Sequence, residues 1–571
     1  MTIYGIGGAI AVALLVAIIV MAGGTIVPNL GGDSDDEPAP TGLRLLDQDG
    51  KVDPKAYARL ANLVGEDDWI DWRYGETGES GSADTQADTP KTSALDLGDG
   101  IDHTYQYGDA SAVDPMNNSQ GQVGFVASDA DSPGVDRVTA VETTPTTLGF
   151  APRAGGRFSQ DAAEVELSDG STADCLAGAQ LGRLVDMDRA DGSAGSAHAV
   201  LAFSSGAIAT TGISGASGGT CVQLPENMVP TSVAVTPANE FALVTVWDTA
   251  EIRGRVAVVA LGDTPGTYRS SWPSTHPGLP NPGHFGFAKL LGFVELKAKA
   301  PTAIGVGTDH PGTEVDRTQA DLSTIESRSG WADQVAGTGV VTVVSRTEKL
   351  VEWIDLTPLL AGVSDSYFAG DPAQYAEPGT DGAAWPPDFA TRPDYAPVLA
   401  GSVALEAEPY DVTVTGDLAY VADASGALIT FSASDPQKPQ QTGTIDLPAA
   451  AGCLAHTADG EQLLATSRQG RSVSWITPTD DGGDITMTLQ DSRITDPICS
   501  ADTPNPGGNG TTAHVVLVAD YGSGALLSYR YGSGALAVGD DVSLDPGSFE
   551  FGGGYEPAGK PFTVSVTSDN I

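Results

Sequence analysis

The sequence predicts an all-β fold. It reads as a β-propeller of about seven or eight four-stranded blades, preceded by an N-terminal transmembrane helix and a short helical and linker segment. Three observations predict this. The words V-A-D, a turn of small residues, G-A-L and an apolar-aromatic run occur twice, in "LAYVADASGALITFSASDP" (418–436) and "VVLVADYGSGALLSYR" (515–530). Each copy reads as two alternating strands joined by a tight turn, which is a β-hairpin. The chain of 571 residues holds 71 Gly and 37 Pro with only 18% charged residues, a turn-rich composition that excludes a helical bundle or a charged disordered chain. Where hairpin copies are adjacent they recur at about 45 to 50 residues, the spacing of a four-stranded blade, although a solenoid shares that period.

Charge narrows the partners. Lys and Arg number 28 against 75 Asp and Glu, a net charge of −47. A field of that sign repels phosphate backbones, so no nucleic-acid partner is expected. The acidity suits a salt-rich or calcium-containing exterior, and it also serves plain solubility.

Taken in chain order, the first element is residues 6–26, "IGGAIAVALLVAIIVMAGGTI", which carry no charge. As a helix they span about 30 Å, the thickness of a bilayer core. A cleaved signal peptide is the competing reading, and "AGG" at 22–24 suits a peptidase, but the basic n-region is missing and the apolar run is long. A pilin-like assembly helix has only the glycines of "YGIGG" in its favour. Residues 1–28 are therefore expected to anchor the chain in a lipid bilayer through residues 6–26. The acidic run "DSDDE" at 33–37 tips the bulk of the chain to the extracytoplasmic side: cell surface, periplasm or virion surface.

Residues 29–100 read as an acidic stalk. Their Gly, Pro and acid content resists packing, apart from a short helix begun by Asp53 as N-cap and Pro54, with Tyr57, Leu60, Leu63 and Val64 on its apolar stripe. Residues 101–571 are assigned to the propeller. Further hairpin copies lie at 241–261, 339–356 and 463–476, and lead-in strands precede several of them, at 230–240, 409–417 and 453–461. Candidate copies near Val123, Ala199, Leu243, Ala303, Val340, Ala419, Leu463 and Val515 set the expected blade number.

The copy at 409–447, "PYDVTVTGDLAYVADASGALITFSASDPQKPQQTGTIDL", carries in order a P-x-x-V-x-V lead-in, Y-V-A-D, G-x-L, D-P and a closing T-G-x-I strand. In this it resembles the LVIVD and YVTN-type β-propeller repeats of bacteria and archaea. The other copies depart at the D-P turn, and 339–356 substitutes "VVSRTEKLVEWID". The resemblance implies a propeller over about 450 residues. At the C-terminus, "GKPFTVSVTSDNI" (559–571) is one more lead-in with no blade after it. A ring avoids open edges when strands from both ends share one sheet, so this segment is expected beside strands from 122–144.

Four cysteines fall in two pairs with equal gaps of 46 residues, Cys175 with Cys221 and Cys453 with Cys499. Local pairing within separate repeat units is expected, in an oxidising compartment, although four cysteines permit three connectivities. No C-x-x-C occurs, which disfavours zinc and covalent haem.

The search for chemistry returns little. His103, His198, His276, His284, His310, His456 and His514 lack any paired spacing. "GASGG" (215–219) matches G-x-S-x-G but sits in a Gly/Ser-rich loop without a strand-to-helix elbow. No catalytic residue and no cofactor are assigned. Calcium is the one metal with candidate ligands, Asp129, Asp131 and Asp136 in one acidic turn and Asp480, Asp481 and Asp484 in another, and both turns also read as solvated loops.

One insertion breaks the blade spacing and gathers aromatics between prolines. Tyr367, Phe368, Tyr375, Trp385, Phe389 and Tyr395 (within 366–397) are either anchors for a partner or a strap packed on the propeller's own face. A second irregular stretch, 270–287, has the same character and is expected on the same face. The resulting expectation is a membrane-anchored extracytoplasmic propeller that binds or assembles with other envelope or surface proteins of a cell-surface, envelope or virion complex. The alternative is a metal- or quinone-dependent propeller oxidoreductase.

Overall fold

The repeated V-A-D and G-A-L words stand at the two ends of one turn. Asp423 and Asp520 end the second strand of their sheets, and each carboxylate gathers N–H groups of the turn that follows. Asp423 Oδ1 accepts from the Ser425 and Ala427 N–H groups at 2.9 and 3.1 Å, and Asp520 Oδ2 accepts from Ser523 N–H at 2.8 Å. Asp248 does the same for Ala250 and Glu251. Such turns bury their acid while giving it several hydrogen-bond donors. The residue closing the turn is left-handed in six hairpins: Gly206, Gly426 and Gly524 at φ 89°, 90° and 74°, and Ile252, Lys349 and Arg471 at φ 55°, 53° and 50°. Glycine takes this conformation freely, whereas a side chain costs about 1 kcal/mol or more there.

The computed structural model describes the strands at 123–128, 135–142, 148–157, 165–166 and 172–173. It further describes residues 184–566 except 190–197, 213–220, 263–276, 282–286, most of 310–334, 369–384, 458–459, 480–481, 505–513, 532, 536–540, 544–546 and 556–559. The expected anchor, stalk and short helix lie outside the described residues. Among those that are described, no helix is long and apolar enough to cross a membrane.

Seven four-stranded antiparallel sheets account for nearly all of the strands. Six are built from strands close in sequence. From inside outward, sheet 2 holds Leu184–Arg189, His198–Phe203, Ala207–Gly212 and Cys221–Gln223. Sheet 3 holds Met228–Val235, Phe241–Asp248, Arg253–Gly262 and Phe287–Glu295, and sheet 4 Ala303–Thr308, Gly339–Ser345, Leu350–Asp355 and Val398–Ala404. Sheet 5 holds Pro409–Thr415, Leu418–Asp423, Ala427–Ser432 and Gln440–Asp446, and sheet 6 Cys453–His456, Leu463–Ser467, Ser472–Thr479 and Gly482–Gln490. Sheet 7 holds Pro497–Pro504, His514–Asp520, Ala525–Tyr531 and Glu550–Tyr555.

Sheet 1 joins the ends of the propeller. Its strands Val123–Ser128, Val135–Glu142 and Leu148–Arg157 receive Pro561–Val566 as innermost member, in the register Gly124↔Val566, Phe125↔Ser565 and Val126↔Val564. The C-terminal lead-in thus lies where the closure argument puts it. The candidate copies near Ala303 and Val340, in contrast, are the first two strands of one sheet, sheet 4. Their spacing misleads because a long insertion, 309–338, separates the two paired strands.

The sheets stack face to face around an axis. Each pair of neighbours among sheets 2 to 7 shares one apolar cluster, such as Val233, Val235, Ala242 and Val244 of sheet 3 with Val200 and Ile208 of sheet 2. Other clusters join sheets 3 and 4, 4 and 5, 5 and 6, and 6 and 7. The innermost strand of sheet 1 packs against those of sheets 2 and 7, which completes the ring of a β-propeller.

The aromatic insertion is part of this core. Helix α1 (Thr357–Phe368) leaves the third strand of sheet 4 with Pro358 in its first turn, where the missing N–H costs nothing. Tyr367, Phe368, Trp385 and Tyr395 are each no more than 4% exposed and pack with Phe241, Leu279 and Leu291 of the neighbouring sheet 3 region. Phe389 is half-buried against the same cluster, and Tyr375 lies outside the described residues. The partner-anchor expectation for these buried rings is therefore corrected: they tie sheet 4 to sheet 3.

Three polar contacts fix this strap. Trp385 Nε1 donates to the Pro277 carbonyl at 3.1 Å, Lys289 Nζ to the Pro386 carbonyl at 2.8 Å, and Phe389 N–H to the Leu291 carbonyl at 2.9 Å. Pro277 belongs to the second irregular stretch, so the two do share a face. Leu291 bulges from its strand, and beside it Gly292 (φ 148°) lets the Phe389 ring approach so closely that a Cβ would meet it at 2.6 Å. Replacing Trp385 by Ala removes a buried indole and strands the Pro277 carbonyl. The expected loss is about 3–5 kcal/mol of stability, read as a lower midpoint in denaturant unfolding.

Candidate binding face and axial channel

The innermost strand of every sheet has a free edge, because only one of its sides is paired within the sheet. Its outward N–H groups need other partners. For sheets 3 and 6, side chains of the preceding sheet supply them. Asp186 Oδ2 of sheet 2 accepts from Val233 N–H at 3.0 Å and from the Ser232 hydroxyl at 2.7 Å, both on the innermost strand of sheet 3. Asp188 Oδ2 accepts from Val235 N–H at 2.7 Å. Asp411 of sheet 5 repeats the device, accepting from Leu454 N–H of sheet 6 at 2.7 Å.

These acids hold equivalent places. In most innermost strands the ladder slips at a bulge, and the residue that resumes pairing is Asp186, Ser232, Asp411, Cys499 or Thr563. Cys453 begins the ladder of sheet 6 in the same position. The disulfide between Cys453 and Cys499 therefore joins neighbouring equivalents, with Cα atoms 5.2 Å apart. Its gap of 46 residues is one step of the repeat from sheet 6 to sheet 7, not a loop within one unit. Cys221 is also disulfide-bonded, but it lies on an outermost strand, and its expected partner Cys175 is outside the described residues. Equal spacing thus covers two different placements. Thr413 and His456 add a further seam contact between sheets 5 and 6, at 2.7 Å.

Enclosure by the ring affects the two clamp acids. Burial, helped by the Asp186 charge, raises the Asp411 pKa to about 7 despite the hydrogen bonds from Leu454 and Val412. Burial likewise raises Asp186 against its bonds from Ser232, Val233 and Met187. The folded chain holds the Asp411 proton more tightly than the unfolded chain, whose carboxyl titrates near about 3.9. The clamp's contribution to stability is then complete below about pH 4 and is lost as pH rises through about 7. Asp411→Asn removes this titration. Its melting temperature is expected to fall less than the parent's between pH 4 and pH 8 in a thermal unfolding series.

The two faces of the propeller differ. Hairpins between second and third strands open on the same face as the connections into each next innermost strand, which are short apart from the link 158–183 between sheets 1 and 2; this is the turn face. The long insertions at 263–286, 309–338 and 356–397 start from the opposite face. The turn face carries two of the three exposed large apolar side chains among the described residues, Trp247 at 42% and Ile252 at 60%. It also carries paired cations: Arg255 with Asp248 and Glu295, Arg346 with Glu408, Arg468 with Asp496. Arg346 lies over the Tyr410 ring, 4.5 Å from its centroid. Exposed pairs such as Arg346 with Glu408 contribute little to stability, about 0–1 kcal/mol each, so they define a surface more than they support a fold, whereas Arg255 and Asp248 are largely buried.

Of the acidic calcium candidates only Asp136 and Asp484 lie among the described residues. Asp129, Asp131, Asp480 and Asp481 lie outside the described residues, as do His103, His276, His284, His310 and the "GASGG" loop. Asp136 is on the third strand of sheet 1, and Asp484 is exposed on the outermost strand of sheet 6, paired with Thr477. Among the described residues no three His, Cys, Asp or Glu side chains group as metal ligands. Of the residues that sequence reading missed, Asp411 does carry a signal: the lead-in P-x-x-V-x-V holds the clamp position two residues after its proline, as Ser232, Asp411 and Thr563 show, whereas Asp186 follows Leu184 without that proline.

No family model matches the chain, and no curated protein matches it. Solved structures do. A functionally unknown protein from Desulfotomaculum acetoxidans is similar at 9% identity, with 79% of this chain and 100% of that chain covered and a TM-score of 0.40. The periplasmic gluconolactonase of Pseudomonas aeruginosa is similar at 14% identity, covering 78% and 99%, with a TM-score of 0.41. A putative 6-phosphogluconolactonase of Bacteroides fragilis is similar at 11% identity, covering 79% and 99%, with a TM-score of 0.39. Identities this low transfer no activity, and the propeller assignment rests on the strand order of the chain itself.

Proposed function

We propose that this chain is a membrane-anchored extracytoplasmic β-propeller that serves as a protein-binding or assembly module of a cell-surface, envelope or virion complex. The observation that carries the reading is the disulfide joining the innermost strands of sheets 6 and 7. A structural disulfide between secondary-structure elements suits an oxidising compartment, and the uncharged run 6–26 offers the means of attachment to its membrane. Ring closure supports a binding role, since it holds the turn face rigid while the fold needs nothing from Trp247 or Ile252. The likeness of 409–447 to LVIVD and YVTN-type repeats belongs to the same proposal.

Extraction of native membranes tests it. High salt and carbonate are expected to leave the full-length chain in the pellet, and mild detergent to release it together with a defined set of surface proteins. A chain lacking residues 1–28 is expected to be soluble and to melt cooperatively. Release of the full-length chain by carbonate alone would refute the anchor, and detergent release as a lone polypeptide would refute the assembly role.

A further inference from the structure

The innermost strand of sheet 6, Cys453–His456, is the shortest of the seven, with four residues against six to eight in the others. Leu454 is its one buried residue, whereas the corresponding strands of sheets 3, 4 and 5 bury six, six and three. Elements with little apolar burial are the first to open locally. The ladder of this strand runs along one side only, from Cys453↔Thr466 to His456↔Leu463. Toward sheet 5 it is fastened by the Leu454 N–H to Asp411 and by the Thr413–His456 contact, and toward sheet 7 by the bond from Cys453 to Cys499. Thr466 and Arg468 also reach sheet 7, but from the second strand and the hairpin behind it. The apolar cluster of Trp475, Tyr529 and Tyr531 closes the same seam further out. The covalent bond therefore secures a short inner strand, while other contacts secure the seam.

Access separates this bond from the other cystine. Cys453 and Cys499 are both partly exposed, whereas Cys221 is buried at 4%. A disulfide breaks only where an attacking thiolate can reach a sulfur, so exposure selects which bond exchanges first.

We propose that the Cys453–Cys499 bond is a redox latch, whose reduction by a dithiol releases the strand 453–456 from the wall of the axial channel while the rest of the propeller stays closed. The donor's thiolate attacks one sulfur, and the other leaves as a thiolate and takes a proton. The donor's second thiol then displaces the remaining cysteine in the same way. Two electrons and two protons pass to the cysteine pair, and the donor becomes a disulfide. Opening of the strand bares the inner edge of Leu463–Ser467 to the channel, and the closing strand Pro561–Val566 keeps its pairing. The latch does not depend on the membrane anchor.

Titration of the purified full-length chain in detergent with dithiothreitol tests this, read by alkylation mapping and by hydrogen exchange. Cys453 and Cys499 are expected to become alkylated at lower dithiothreitol than Cys221. At that concentration, before alkylation, the peptide 452–457 is expected to exchange at least tenfold faster while the strands of sheets 3 and 4 keep their rates. The chain carrying Cys453→Ser and Cys499→Ser is expected to show the fast exchange without reductant and no further response in this peptide. Alkylation of Cys221 first or together with the pair, or parental exchange at 452–457 in the reduced chain, would overturn the latch. Equal loss of protection in sheets 3 and 4, or loss of cooperative unfolding in the double variant, would overturn it too, by making the bond a staple of the whole ring.

Discussion

Everything in this propeller depends on the backbone pairing of Pro561–Val566 with Val123–Ser128. A row of stacked sheets has two ends, and each end exposes an apolar face to water. Supplying the innermost strand of sheet 1 from the far end of the chain removes both ends at once. The stacked sheets then form a closed ring, with the innermost strand of sheet 1 seated between those of sheets 2 and 7.

Closure leaves one problem, the free edges lining the channel. The chain solves it with the same position in successive sheets but different chemistry. Asp186 and Asp411 reach across to amides of the next innermost strand, while Cys453 and Cys499 bond to each other. A carboxylate clamp is adjustable with pH because its oxygens must leave water to work, and its protonation follows from enclosure. A disulfide clamp is indifferent to pH and requires an oxidising environment. The ring's seams thus respond to two different conditions.

Much of the architecture was legible in the sequence because turns are chemically demanding. A tight hairpin requires an acceptor for its N–H groups and a left-handed residue to close it, so Asp423 with Gly426 and Asp520 with Gly524 write their fold openly. Where Lys349 or Arg471 replaces the glycine, the word disappears while the turn remains. The closing strand was legible for a similar reason, as a lead-in without a blade. Sheet 4 was miscounted because its insertion separates paired strands, and linear spacing carries no information about pairing across such a gap. The strap was legible only as an alternative, since aromatic residues between prolines pack equally well on a partner or on the chain itself. What decides is Gly292, whose missing Cβ admits the Phe389 ring. The clamp acids were illegible because their partners, the Val233 and Leu454 amides, lie in the next sheet, and ring geometry brings together residues far apart in sequence.

Hydrogen exchange at the amides of Thr563 to Val566 tests the closure most directly. If this strand completes sheet 1, its ladder amides exchange only when the whole propeller unfolds, at rates matching the slowest amides of sheets 3 and 4. Exchange as fast as that of an unpaired terminus, while sheets 3 and 4 stay protected, would contradict the closed ring.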